Sequence, residues 1–133
     1  IMWDFCGVVR QEAKLDEGLR QIEVLKSKIA HLDVRPDSEG FEDLMLAFDL
    51  EAAIMSAEAT IIGAKARKES RGAHQRSDFK KREEKHDVNY AIQLTESAQL
   101  TVRSEPMSKM TQDLQKIIES TKEIRDFKGM LLE

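Results

Sequence analysis

The sequence predicts a mainly α fold: a spectrin-repeat-like three-helix bundle, followed by a short C-terminal β-hairpin and an irregular tail. Three observations carry that expectation. Apolar residues recur every three or four positions from Leu15 to Leu32 and again from Phe41 to Glu69, the period of a helix face. The period changes to two between Val88 and Val102, as strands require. A length of 133 residues, 41% hydrophobic and 35% charged, fits one soluble domain with a single core. Within it the bundle is expected over residues 1–70, a basic loop over 71–87, the hairpin over 88–105 and the tail over 106–133.

Residues 1–9 are dominated by large apolar side chains, with Gly7 placed to stop a helix, so they read as the end of a helix in a fragment of a longer protein. Trp3 and Phe5 are expected to bury. Leu15, Leu19, Ile22, Leu25 or Lys26, Ile29 and Leu32 then form one stripe of an amphipathic helix, with Arg20, Glu23 and Lys28 on its remaining surface. Pro36 and Gly40 interrupt the pattern, and Asp37 or Ser38 can accept from the free amides that begin the next helix.

The stretch from Phe41 to Glu69 is apolar on two faces. Phe41, Leu44, Phe48, Ala52, Met55, Ala59, Ile62 and Ala66 make the first; Leu46, Leu50, Ala53, Ile54, Ala57, Ile61 and Ala64 make the second, roughly opposite. Such a helix needs cover on both sides. Its alanines suit the centre of a bundle, which accounts for both faces by packing alone, and a surface for chain lying outside these residues is the alternative.

Val88, Tyr90, Ile92 and Leu94 alternate with polar residues, Glu96 to Ala98 can turn, and Leu100 and Val102 alternate again. Two strands alone are marginal, so the hairpin is expected to lie on the helices. Pro106 ends it, Thr111 can cap a short helix carrying Leu114, Ile117 and Ile118, and Thr121 to Glu133 reads as irregular.

Several chemistries lack their residues. No Gly-rich turn follows a strand, so no cofactor is expected to be held here. His31, His74, His86 and Cys6 have no metal-ligand spacing, no serine sits in a nucleophile elbow, and Cys6 lies in apolar sequence; neither a metal site nor a catalytic residue is expected. One cysteine allows no internal disulfide and favours a cytoplasmic setting. No apolar run is long enough for direct membrane insertion.

What core-building leaves unexplained is the segment from Arg67 to Asp78, with four basic residues, a glycine and a histidine. One reading is a helix terminus with cations placed for the dipole, followed by a solvated loop. Binding of nucleic acid is opposed by the net charge of -4, by the all-acidic charge between Pro36 and Gly63, and by the lack of interleaved aromatics apart from Phe79. The third reading is an interdomain clamp, in which Arg67, Arg71 and Arg76 fork onto carboxylates or carbonyls of another domain, Gly72 turns the backbone and His74 bonds across the junction.

The run Ala66-Arg67-Lys68-Glu69-Ser70-Arg71-Gly72-Ala73-His74-Gln75-Arg76-Ser77-Asp78 resembles the Arg-Lys-Glu-Ser-Arg-Gly-Ala-His segment of the succinate dehydrogenase/fumarate reductase flavoprotein subunits. Met2-Trp3, Gly7-Val8-Val9-Arg10, Leu15, Gly18-Leu19, Leu46 to Glu51 and Ala57-Glu58-Ala59 resemble the C-terminal helical domain of that family in the same order. The related L-aspartate oxidase segment carries a bulkier residue at the position of Ala73 and an aromatic at that of Gln75, so these two residues favour succinate dehydrogenase/fumarate reductase. Lys80, where the family has proline, and Asn89 to Leu94, in place of its Asn-Trp-Leu-Lys-His-Thr-Leu, depart from the pattern and leave branch and electron acceptor open.

The resemblance implies a FAD-dependent enzyme interconverting succinate and fumarate, whose flavin and substrate residues lie upstream of this domain. It implies as partners the protein's own N-terminal FAD-binding and capping domains and an iron-sulfur subunit, with peripheral attachment to the inner face of a membrane through partner subunits. Arg67, Arg71, Gly72, His74 and Arg76 are then the expected interdomain docking residues. The C-terminal domain of an L-aspartate oxidase and a free-standing helical interaction module are the alternatives.

Overall fold

The computed structural model describes residues 1–34 and 41–121 in full and the backbone of 122–130. In chain order these form α1 (Met2–Phe5), β1 (Val9–Arg10), α2 (Glu12–Ile29), α3 (Glu42–Ala66), β2 (Gln75–Arg76), a 3-10 turn (Glu84–His86), β3 (Val88–Leu94), β4 (Leu100–Pro106) and α4 (Gln112–Met130). The chain is mostly helical, at 52%, with a small antiparallel hairpin.

The core lies where α1 and α3 pack on α2. Leu15 and Ile22 of α2 meet Ile54, Ile61 and Ala64 of α3, with Cys6 closing the end. Each large aliphatic side chain buried there stabilises the fold by about 1.5–3 kcal/mol. The long helices run antiparallel, with Lys26 bonding Glu58 at 2.6 Å and Lys65 bonding Asp16 nearer the other end. At Gly18 a side chain would meet Phe5 Cβ at 3.0 Å and Ile61 Cδ1 at 3.1 Å, so this glycine sets how closely α1 and α3 approach α2.

Two burial expectations fail. Trp3 is 91% exposed because α1 is a single turn held to the core through Met2 and Phe5, and Trp3 falls off the face those two share. Leu32, beyond the end of α2 at Ile29, is exposed across an open cleft that it shares with Leu46 and Leu50 of α3.

Of the two apolar faces of α3, α2 covers the second, through Ile54, Ile61 and Ala64 with Leu50 and Ala57 beside them. The first face is half-buried at Leu44 and along its C-terminal end, where Ile92 of β3 lies 3.6 Å from a side chain built at Gly63; Phe41, Phe48 and Met55 stay exposed. The helix stops at Ala66, short of the expected Glu69, because Arg67 turns extended and its side chain is drawn into other bonds. The break at Pro36 and Gly40, and the caps expected from Asp37 or Ser38, lie outside the described residues; α3 starts from Phe41 with no side-chain cap bond.

The hairpin lies on α3, with Val88 opposite Pro106 and Leu94 opposite Leu100. Its loop closes through Thr95 N to Gln99 O at 2.8 Å, and Ala98 takes the left-handed conformation at φ 59°. The tail differs from expectation. Thr111 does cap a helix, accepting from Leu114 N at 3.4 Å, but that helix continues to Met130 instead of ending before Thr121. Ser120 and Thr121, which look like breakers, return their hydroxyls to Ile117 O at 2.8 and 2.9 Å and so fit inside it.

Candidate functional site

The basic segment folds into a knot of arginines and carboxylates at the C-terminal end of α3. Arg67 reaches away from the helix: Nη1 donates to Glu69 Oε1 at 2.6 Å and His86 O at 2.8 Å, and Nη2 donates to Val88 O at 2.8 Å. Its guanidinium stacks 4.7 Å from the Tyr90 ring centroid, so one side chain ties α3 to the 3-10 turn and β3. Glu69, fully buried, also accepts from Arg71 Nε at 2.8 Å and the amide of Glu83 at 2.9 Å. Burial alone would raise its pKa; the Glu83 amide and the Arg71 and Arg67 guanidiniums outweigh that and hold it at about 2.

Arg71 turns its other arm to Asp87, which Arg82 also bonds at 2.9 Å, and these two guanidiniums, Arg71 first, lower the Asp87 pKa. Between Arg71 and His74 the chain reverses through a two-residue turn with Gly72 at φ 56°, closed by Arg71 N to His74 O at 2.8 Å. A side chain at Gly72 would be strained by that φ.

Arg76 is only 1% exposed. It forks onto Asp78 at 2.7 and 2.8 Å, donates to Glu12 Oε2 at 2.6 Å and Ala64 O at 3.0 Å, and stacks 4.8 Å from the Phe79 centroid. Asp78 in turn accepts from the amide of Glu12 at 2.8 Å, so a carboxylate from the basic segment satisfies the first turn of α2. Its bond with Arg76 holds the Asp78 carboxyl well below the usual range. β2, which carries Arg76, pairs in parallel with β1, matching Arg10 to Arg76. Arg10 Nη1 lies 2.6 Å from His74 Nδ1, while Nε2 of that ring lies 3.0 Å from Arg67 O.

All five residues expected at a docking site thus gather in one place. Their bonds run largely inward: Arg76 is enclosed, Arg67 serves α3 and β3, Arg71 and His74 are half-buried, and Gly72 is exposed at the tip. Sequence reasoning missed Glu12, Glu69, Asp78 and Asp87 as the anions of the knot, and Arg10 as a member. Glu69 was readable, since an acid two residues from Arg67 and from Arg71 shares their side of an extended segment. Arg10 and Glu12 lie 64 residues from their partners, and no local spacing points to them.

The arrangement holds no activated nucleophile. Cys6 is buried and its thiol pKa is raised by that burial, against the opposing effect of Arg10. Among the described residues no group of three His, Cys, Asp or Glu side chains could hold a metal ion, and no helix is long and apolar enough to cross a membrane.

A helix pair with a hairpin, locked by an internal ionic knot, defines a small helical domain. The chain belongs to the fumarate reductase flavoprotein C-terminal family, whose family model matches residues 1–117. It is 34% identical over 91 residues to the fumarate reductase flavoprotein subunit of Haemophilus influenzae, covering 68% of this chain and 15% of that protein. It is 34% identical over 92 residues to the succinate dehydrogenase flavoprotein subunit of Rickettsia bellii, again covering 68% and 15%. Among solved structures, the E. coli quinol fumarate reductase chain matches with a TM-score of 0.76 at 23% identity, over 83% of this chain and 20% of that one. The Mycobacterium smegmatis Sdh1 complex in its apo form matches at 0.77 and 24%, over 85% and 20%.

Relatives of this kind are flavoproteins by name, so the described residues can be tested for a flavin cradle. The one junction among them that leads from a strand straight into a long helix, β1 to α2, passes through Gln11 without a glycine, and its leading amide is already bonded to the Asp78 carboxylate. A pyrophosphate does not fit there.

Proposed function

We infer that this chain is the C-terminal helical domain of a FAD-dependent flavoprotein subunit that interconverts succinate and fumarate. The domain packs on a flavin-binding body and is not catalytic alone. FAD, held by that body, supplies the hydride acceptor; the residues of this chain fix the domain in place. The observation that carries the reading is the open first face of α3 beside the ionic knot, in a chain spanning only 15% of the length of the two curated relatives above. The body is the natural cover for that face.

In this reading the 133 residues form a single domain. Met2–Phe5 is the last turn of a longer helix that completes a three-helix, spectrin-repeat-like bundle. Arg67, Arg71, Gly72, His74 and Arg76 shape the docking edge, with Arg71, Gly72 and His74 at its surface and Arg67 and Arg76 stiffening it from behind. The further partners are a capping domain and an iron-sulfur subunit, through which the protein sits peripherally at a membrane.

Flavin absorbance tests the reading directly. The 133-residue chain, once purified, is expected to carry none, and protein extended upstream in the same reading frame is expected to carry it stoichiometrically. Stoichiometric flavin on the 133 residues alone would overturn it.

A further inference from the structure

Every arginine of the knot has a carboxylate partner except Arg10. Arg67 has Glu69, Arg71 has Glu69 and Asp87, Arg76 has Asp78 and Glu12, and Arg82 has Asp87. Arg10 donates through Nε to Gly7 O at 2.9 Å and through Nη1 to His74 Nδ1 at 2.6 Å, and among the described residues it has no anion.

Because a guanidinium can only donate, Nδ1 of His74 is the acceptor, and the ring carries its proton on Nε2 and donates to Arg67 O at 3.0 Å. That ring is neutral, in keeping with a pKa lowered first by burial and further by Arg10, Arg76 and Arg67. Arg10 therefore keeps its charge with no carboxylate of the described residues to meet it, partly withdrawn from water, where a counter-charge would be favourable.

Arg10 borders an open cavity of about 400 Å³. Thr60, Arg67, His74, Asn89 and Tyr90 share its wall, and among the described residues no acidic one lines it. The group missing from such a wall is a carboxylate, which a guanidinium binds with two parallel donors. Val8 and Val9, directly before Arg10, are exposed, so the cation sits beside an apolar surface that a free small anion would leave wet.

We propose that this cavity is a socket for an aspartate or glutamate side chain of the flavin-binding body, which docks on Arg10. The assignment rests on the domain reading above and names the contact through which that docking is fixed. Arg10, and not the enclosed Arg76, is the guanidinium that reaches out of the chain.

The test uses the full-length flavoprotein carrying R10K. This substitution places an amine in the socket, and a carbodiimide condenses amine and carboxylate to an amide with loss of water. Tandem mass spectrometry is expected to find the peptide carrying position 10 joined to a peptide of the flavin-binding region. In R10Q, hydrogen exchange of that same peptide is expected to rise about tenfold or more, as for a lost charged hydrogen bond. Cross-links confined to the 133 residues, or none, in protein that holds its flavin would overturn the socket and leave the domain reading standing. A saturable protection by sodium acetate without any cross-link to the body would assign the cavity to a free carboxylate and overturn it equally. A full-length protein that holds no flavin would remove the body itself, and both readings with it.

Discussion

The two ends of α3 are finished in different ways. At its C-terminal end Ala64, Arg67, Glu69 and Arg76 belong to a network in which a buried charge, Glu69 or Arg76, meets partners that stay partly exposed, drawn from α2, the 3-10 turn and both short strands. At its N-terminal end the same helix presents Phe41, Met45, Leu46 and Phe48 to solvent, the last 73% exposed. Directional bonds let the chain build one end by itself, Arg10 apart, whereas a non-directional apolar face is complete only when something lies on it. The closed end should thus respond to substitution wherever the chain is found, and the open end only when its cover is present.

The largest effect is expected from breaking the closed end at Arg76. Arg76→Ala empties a buried site and removes the cation that Asp78 and Glu12 share, and should cost about 3–4 kcal/mol, read from urea unfolding of the chain. Arg76→Lys should recover only part of this, because an ammonium cannot fork onto Asp78 while holding Glu12 and the Ala64 carbonyl. Full stability in Arg76→Ala would mean that the knot does not hold the segment.

Glu69 offers a gentler break and a pH signature. Its folded pKa of about 2 lies below the ordinary 4.5, so the folded state favours the charged form. The stability it supplies is complete above pH 4.5 and is lost as pH falls through the folded value near 2. Glu69→Gln, costing about 2–3 kcal/mol at neutral pH through the loss of charged bonds, should flatten the fall in stability across that window. Denaturant midpoints at stepped pH check it; an unchanged acid limb would show that other carboxylates govern it.

Two smaller substitutions separate packing from ionic bonding. Gly18→Ala adds a methyl within 3.0 Å of Phe5 and 3.1 Å of Ile61. The overpacking, about 1–3 kcal/mol, should exceed the roughly 1 kcal/mol gained in helix propensity and leave the chain about 1 kcal/mol less stable by thermal melting. Ala98→Gly relieves a left-handed alanine in the hairpin loop and should add about 0.5–1 kcal/mol. A loss of stability there would mean that the loop relies on the alanine side chain.

How much of this is legible in the sequence follows the same division. Periodicity places α2 and the bounds of the hairpin, and it finds both faces of α3, because those depend on the alternation of local residues. It cannot say which face α2 takes, since the two are nearly equal in apolar content and only the paths of the connecting segments decide. The basic segment is recognisable as unusual, and its five named residues do gather. Asp78, two residues from Arg76, is within reach of the same local rule as Glu69. Glu12 is not readable, because parallel pairing of β1 with β2 joins positions 66 residues apart, and Asp87, 16 positions from Arg71, meets it only through the fold of the chain between them. The length of the final helix escapes for a smaller reason: hydroxyls at Ser120 and Thr121 that bond back to Ile117 look in sequence like those that stop a helix.

The smallest expected effect bears most directly on the open end. Phe48 touches little within the chain, so Phe48→Ser should shift the stability of the 133 residues by less than about 0.5 kcal/mol. In the full-length flavoprotein the same change would bury a hydroxyl where an aromatic ring had lost its water, and the melting temperature should fall. The informative quantity is the difference between the two shifts, because any effect on α3 itself appears in both and cancels. Equal shifts would mean that the face is bare in the whole protein too, and the cover would have to be sought in another subunit.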